Sequence, residues 1–208
     1  MAKLTLTTFL SLDGVMQGPG GPDEDRRDGF EFGGWVVPFV DEGMMQFVNE
    51  LFGRSAAFLL GRRTYDIFAG YWPKVTDPDD PVASRLNALP KYVVSTTLGQ
   101  QPAWEHTTVV STDVAAEVAR LKERTEGGEL QIHGSGTLAA SLMEHGLIDE
   151  YNLLVYPVFL GHGQRLFPDG GLPTAFELTG SRTTPSGVAI HTYRPAGRPE
   201  FGSIPAEE

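Results

Sequence analysis

Short apolar runs that end in glycine or small hydroxyls alternate along this chain with stretches whose apolar residues recur every three or four positions. No other feature constrains the fold as strongly. Leu4, Leu6 and Phe9 alternate with threonines from Lys3 to Leu10, which predicts a strand closed by the turn tetrad Ser11-Leu12-Asp13-Gly14. From Asp41, apolar residues at Met44, Phe47, Val48 and Leu51 predict an amphipathic helix, with Asp41 and Glu42 in a first turn that suits carboxylates. Ala56 to Leu60 is apolar throughout, as in a strand covered on both faces, and a helical pattern restarts at Thr64. Lys91–Thr96 and the run from Thr107 predict two more strands. Asp113 would cap a helix carrying Val114, Val118 and Leu121, Leu130–His133 would be a strand, and Thr137–His145 a helix.

Strand and helix in alternation predict an α/β domain built on a largely parallel sheet. The C-terminal third changes character. The run that begins at Ile148, then Phe176–Ser181 and Gly187–Tyr193, reads as strands joined without helices, hence an antiparallel addition to one edge. Residues 1–195 are expected to form a single domain and 196–208 a mobile tail. Between Val15 and Trp35 the chain is rich in glycine, proline and mixed charge, which predicts a long functional loop whose aromatic end docks on the body.

Composition enters as a filter on function. A net charge of −11 repels nucleic acid and anionic membrane surfaces, so neither is an expected partner. With no cysteine, disulfides, thiolate metal sites and cysteine nucleophiles are excluded, and the five histidines show no metal-ligand spacing. The alternating N-terminus reads as a strand and not as a signal peptide, so a cytoplasmic protein is expected.

In an open α/β sheet, ligands sit beyond the C-terminal ends of the strands. Three such ends share a theme. Gly61-Arg62-Arg63-Thr64 combines a close turn, forked donors and a helix start; Ser95-Thr96-Thr97 offers small hydroxyls; Gly134-Ser135-Gly136 again sets backbone donors at a helix start. Each is weak alone, but together they suit a long dinucleotide that needs several anion contacts along one sheet edge.

The order "SLDG", "LLGRRTY", "YVVST", "LQIHGSGTL" and "VYPVFLGHGQRLF" resembles the dihydrofolate reductase fold. Most similar is its branch with the C-terminal reductase domain of the riboflavin pathway, the RibD type, over about residues 3–194. The resemblance implies a three-layer α/β/α domain with NADPH as cofactor. Arg62, Arg63 and Thr64, with Gly61, Ser95 and Thr96, would hold the adenosine phosphates. Gly134, Ser135, Gly136, Thr137 and Leu138 would hold the pyrophosphate, and the backbone near Phe9 would meet the nicotinamide. It implies hydride transfer to a small pteridine-like or pyrimidine-like heterocycle, and standalone relatives often pair as homodimers. For proton donation Asp13, Asp41, Glu42 and His133 are the candidates, while Met45 falls where folate reductases carry an acid on the helix. Trp35, Tyr65, Tyr156 and Gly163 are candidates for the substrate pocket. A reductase of an unrelated carbonyl or imine, or a nucleotide-binding protein without turnover, are the other readings of these residues.

Overall fold

In the computed structural model, whose described residues are 1–99, 102–167 and 169–204, β1 (Leu4–Leu10) runs near the middle of an eight-stranded sheet. The order across the sheet is β4 (Thr107–Val110), β3 (Lys91–Val94), β2 (Ser55–Gly61), β5 (Glu129–His133), β1, β6 (Glu150–Val155), β8 (Ala189–Pro195) and β7 (Phe176–Thr183). The first six strands are parallel, whereas β8 runs antiparallel to β6 and β7 antiparallel to β8. The α/β architecture with an antiparallel C-terminal edge is therefore as the sequence pattern predicts.

The physical cause is two-sided burial. On one face Leu4, Leu6, Leu59, Leu130 and Ile132 pack against α4 (Val114–Arg124) and α5 (Gly136–Glu144) through Val118, Leu121 and Leu142. On the other face α1 (Glu42–Gly53) lays Met44 and Phe47 on Leu154 and Tyr156, and Phe52 on Phe58. Each fully buried leucine or phenylalanine stabilises by about 1.5–3 kcal/mol, so a one-residue slip of β1, which would exchange its leucine face for its threonine face, is strongly disfavoured.

α2 (Arg62–Tyr71) begins directly at the end of β2, two residues before the pattern suggested. A further helix, α3 (Pro81–Ala88), was not anticipated. Its signal is local: the Asp80 carboxylate accepts from the Val82 and Ala83 N–H groups at 2.9 and 2.8 Å, Pro81 opens the first turn, and Val82 and Leu86 are buried. Lys91 closes the other end. Its buried ammonium donates to the Leu86 and Leu89 carbonyls at 2.7 and 2.8 Å and lies 4.6 Å from the Trp104 ring centre, while burial pulls its pKa down to about 8. Asp113 departs from its expected cap: it stands before α4 at φ 44° and its side chain makes no cap hydrogen bond.

Beyond β8, Ala196 donates to the Ala175 carbonyl and residues 197–204 form no helix or strand. The last part of the expected tail, residues 205–208, lies outside the described residues. No helix among the described residues is long and apolar enough to cross a membrane.

Because β3, β2, β5 and β1 are parallel neighbours, their C-terminal ends fall side by side. That row carries Ser95, Gly61, Gly134 and Ser11.

Candidate active site

Three of the expected strand-end stretches meet at this row. Ser135 adopts a left-handed backbone at φ 54°, directly after Gly134 at φ 55°. The strain of a non-glycine residue there is offset by its side chain. Ser135 Oγ accepts from the Gly61 N–H at 3.0 Å and lies 3.0 Å from Thr64 Oγ1, which also accepts from the Ser135 N–H at 3.2 Å. The serine thus ties the start of α5 to the start of α2. Gly61 itself sits at φ −70°, a conformation open to any residue, so the turn does not demand glycine as the sequence suggested; a Cβ there would reach ordinary contact, 3.4 Å from Ser135 Cβ.

Neither α2 nor α5 has a side-chain cap, in contrast to α1 and α3, which aspartates close. The first-turn N–H groups of a helix have no intrahelical partner. In α5 these belong to Gly136, Thr137 and Leu138, and in α2 to Arg62, Arg63 and Thr64. Two positive helix ends therefore open beside each other without a carboxylate of their own.

Around them, Arg62 is held by both oxygens of Asp66 at 2.9 and 2.8 Å and donates to Thr97 Oγ1 at 3.2 Å, which joins the second stretch to the first. Ser95 is buried and its hydroxyl accepts from the Thr97 and Leu98 N–H groups, so it shapes that turn; Thr96 is exposed. Arg63 reaches Asp25 at 3.5 Å. Asp25, Asp66 and Met16, whose sulfur lies where a Cβ on Gly136 would come within 2.8 Å of it, were not singled out from the sequence. Asp66 was legible as an i, i+4 partner of Arg62; the other two are brought in only by the long loop.

That loop is folded back and built in. Gly34 and Val36 donate to the Gly18 and Pro19 carbonyls, and the Trp35 indole donates to the Gln17 carbonyl at 2.8 Å. Its start pairs with the segment after β6: Met16 donates to Gln164 O at 2.8 Å, and Val15 bridges Arg165. Asp13 is the fastener. Its carboxylate accepts from the Leu160 and Gly161 N–H groups at 3.1 and 3.0 Å, from Ser11 Oγ at 2.7 Å and from Arg165 at 3.4 Å. Burial works to raise its pKa, but the hydrogen bonds from Ser11, Leu160 and Gly161 outweigh it and hold the group ionised. Gly163 fills the gap beneath Val15 and Phe30.

The side chains of the remaining candidates are engaged elsewhere, although His133 directly precedes Gly134 and its carbonyl accepts from Ser135 Oγ at 3.0 Å. Asp41 caps α1, accepting from Met44 N–H at 2.8 Å and from Ser186 N–H at 2.8 Å; these bonds hold its pKa at about 2. Glu42 is in the same first turn, and Met45 lies on the outward side of the helix, 42% exposed, in an open depression with Gln46, Asn49 and Glu50. Tyr156 is fully buried, its hydroxyl on Met44 Sδ at 3.0 Å, its ring edge-on to Phe9, Trp35 and Phe39 at 5.7, 5.4 and 6.0 Å between centres. Burial raises its pKa well above the ordinary tyrosine range. Tyr65 is buried against Trp104, in the cluster under α3.

His133 faces α1. Its ring stacks on Phe52 at 4.6 Å and its Nε2 lies 3.2 Å from Gln131 Oε1, and burial lowers its pKa from 6.5 to about 4. The unfolded chain therefore binds the extra proton first. The stability due to a neutral His133 is complete above pH 6.5 and falls by about 3 kcal/mol in all as the pH drops through about 4. Unfolding free energies measured across this range should show that slope, and His133→Gln should flatten it; an unchanged slope would remove the histidine from the account.

The described residues contain no cluster of acidic or histidine side chains able to hold a metal ion. The family model of the RibD C-terminal domain matches residues 2–190. Uncharacterized protein YyaP of Bacillus subtilis (strain 168) is 28% identical over 193 residues, covering 92% of this chain and 94% of its own length. Among solved structures, a putative riboflavin biosynthesis protein from Shewanella sp. PV-4 superposes with a TM-score of 0.66 at 21% identity, over 94% of this chain and 99% of that one. RibD of Acinetobacter baumannii gives 0.63 at 14% identity, over 94% of this chain but only 58% of its own. At these identities the superpositions establish a shared fold.

Proposed function

The chain belongs to the RibD C-terminal domain family, and from that premise we propose that it is an NADPH-dependent reductase of a small pyrimidine-like or pteridine-like heterocycle. The observation that carries the reading is the pair of uncapped helix starts, α2 and α5, tied through Ser135 and Thr64, with Arg62 beside them at the Ser95–Thr97 turn. Backbone donors at two helix ends suit a pyrophosphate, and a guanidinium flanked by hydroxyls suits a further phosphate on the adenosine ribose. When bound, the nicotinamide cofactor supplies the hydride.

The chain's own residues do the positioning. Ser135 and Thr64 fix the two helix starts at one distance from each other. Asp13 fastens the segment after β1 to the segment after β6, which keeps the backbone at Phe9 and the long loop in place around the strand ends. Asp41 and His133 hold α1 to the β7–β8 turn and to the sheet. In this reading none of the three carries the substrate proton, since two are ionised and fully engaged and the third is neutral in the core. The expected cytoplasmic location belongs to the same proposal.

Titration of the protein with NADPH and with NADH, followed by thermal unfolding, tests the reading. At a hundredfold excess over Kd, NADPH is expected to stabilise by about 2.7 kcal/mol, a rise in Tm of roughly 5–10 °C for a chain of this size. Cofactor oxidation with pterins and aminopyrimidines then separates turnover from binding. No shift with either nucleotide would end the proposal, and a shift without oxidation of any heterocycle would favour nucleotide binding without turnover.

A further inference from the structure

The long loop reaches both helix starts of the candidate site. Near its beginning the Met16 sulfur lies against Gly136 at the start of α5, and further along the Asp25 carboxylate comes within 3.5 Å of Arg63 at the start of α2. A dinucleotide laid along those starts meets the loop at two points. One of them is a negative charge, which opposes a phosphate.

The two arginines of α2 are held in different ways. Arg62 is fixed by both Asp66 oxygens and by Thr97, whereas Arg63 is half-exposed and meets Asp25 at a distance too long for a good hydrogen bond. Such a pair is weak, so little is lost when the guanidinium turns away. Asp25 cannot follow it. Its buried carboxylate takes the Arg27 fork at 2.9 and 2.6 Å, and the Gln17 amide donates to the Asp25 and Arg27 carbonyls at 3.4 and 3.1 Å. Arg27 also donates to Gln164 at 2.9 Å, which fastens this part of the loop to the segment after β6. Burial works to raise the Asp25 pKa, the Arg27 hydrogen bonds outweigh it, and the charge of Arg63 adds least. Departure of Arg63 therefore leaves no uncompensated buried charge.

We infer that Asp25 competes with the nucleotide for Arg63: the guanidinium pairs either with this carboxylate or with the pyrophosphate, and Asp25 thereby sets how tightly the nucleotide is held. The inference rests on the nucleotide reading proposed above. Arg63 contributes a first-turn N–H to the start of α2, so a change of side-chain rotamer is enough to bring its tip to an anion bound there. The two arginines then have separate tasks. Arg62, beside Thr97 at the end of β3, selects for the ribose phosphate; Arg63, on the loop side, meets the pyrophosphate that NADPH and NADH share. Because Asp25 is pinned by Arg27 and Gln17, each exchange of Arg63 makes or breaks an ion pair between α2 and the loop. Asp25 is thus a positioning residue that lowers the affinity for both nucleotides by one factor.

Equilibrium titration with NADPH and NADH at one fixed ionic strength tests the competition. Asp25→Asn, which keeps an acceptor for Arg27, should bind both nucleotides about two- to fivefold more tightly than the wild type, by the same factor for each. A merely damaged loop would lower affinity instead. Asp23→Asn removes an equal charge from the same loop, out of an exposed pair with Arg26 at 2.7 Å, and should leave both affinities within about 1.5-fold of the wild type. Arg63→Gln should weaken both nucleotides alike, by roughly tenfold, and in that background Asp25→Asn should gain no more than Asp23→Asn does. Arg63 is half-exposed, so this arm reads the contact without disturbing the interior of the loop, and thermal melts confirm that each variant is folded. Unchanged or weaker binding by folded Asp25→Asn, a gain that survives in Arg63→Gln, or wild-type affinities in Arg63→Gln would each overturn the competition and leave nucleotide binding in place. A wild type that binds neither nucleotide would end the cofactor reading itself, and the competition with it.

Discussion

Replacing Arg62 by alanine is expected to weaken NADPH binding by roughly 10–100-fold and NADH binding by less than about threefold. The two cofactors differ only by the ribose phosphate, so the ratio of the losses isolates the contact made to that group. A charge-assisted hydrogen bond in a partly exposed site contributes about 1.5–3 kcal/mol, which sets the upper figure. Arg62 is suited to the task by its present company. Asp66 grips the guanidinium through Nε, and Nη1 already points to Thr97, so the forked end is turned toward the β3 strand end without a further ordering cost. Equilibrium titration of the two cofactors against wild type and variant checks it. Equal losses for NADPH and NADH would sink the assignment of a phosphate pocket to Arg62 while leaving dinucleotide binding at the helix starts untouched.

The meeting of the strand-end stretches was legible because each is local. "GRRT" and "HGSG" each join the end of a strand to the start of a helix within a few residues, and parallel order then places them side by side. What was not legible depends on partners far along the chain. Asp41 reads as a helix-start carboxylate, which it is, but its second oxygen binds Ser186, 145 residues away. Asp13 reads as a turn residue with catalytic potential, and only the fold brings Leu160 and Gly161 to it. The spacing of α1 predicted its buried face correctly, yet Met45, placed by alignment where an acid would stand, turns outward. α3 went unread although Asp80-Pro81 is a local start signal, since its apolar residues are too few to stand out against the loop before it.

Gly163→Ala is expected to destabilise the protein by about 3–5 kcal/mol. Two costs combine. Gly163 has φ 130°, a region closed to side-chain-bearing residues, at about 1–3 kcal/mol. An added Cβ would also lie 2.6 Å from Val15 Cγ1 and 2.9 Å from Phe30 Cε2, and overpacking of this kind costs about 1–3 kcal/mol. Neither neighbour can yield easily, because both are buried and the surrounding backbone is pinned by the Met16–Gln164 and Leu166–Gly14 hydrogen bonds. Gly161→Ala provides the contrast. It also has positive φ, but its Cβ would meet only Phe159, at 3.3 Å, and Phe159 is 72% exposed and free to move. Thermal melts should place Gly163→Ala roughly 6–20 °C below wild type and Gly161→Ala only a few degrees below. The same displacement would shift Met16 away from Gly136, so any cofactor affinity that survives in Gly163→Ala should be reduced as well. Equal melting temperatures for the two variants would mean that the long loop yields to the added methyl, and that the segment from Gly161 to Leu166 does not fix the geometry at the start of α5.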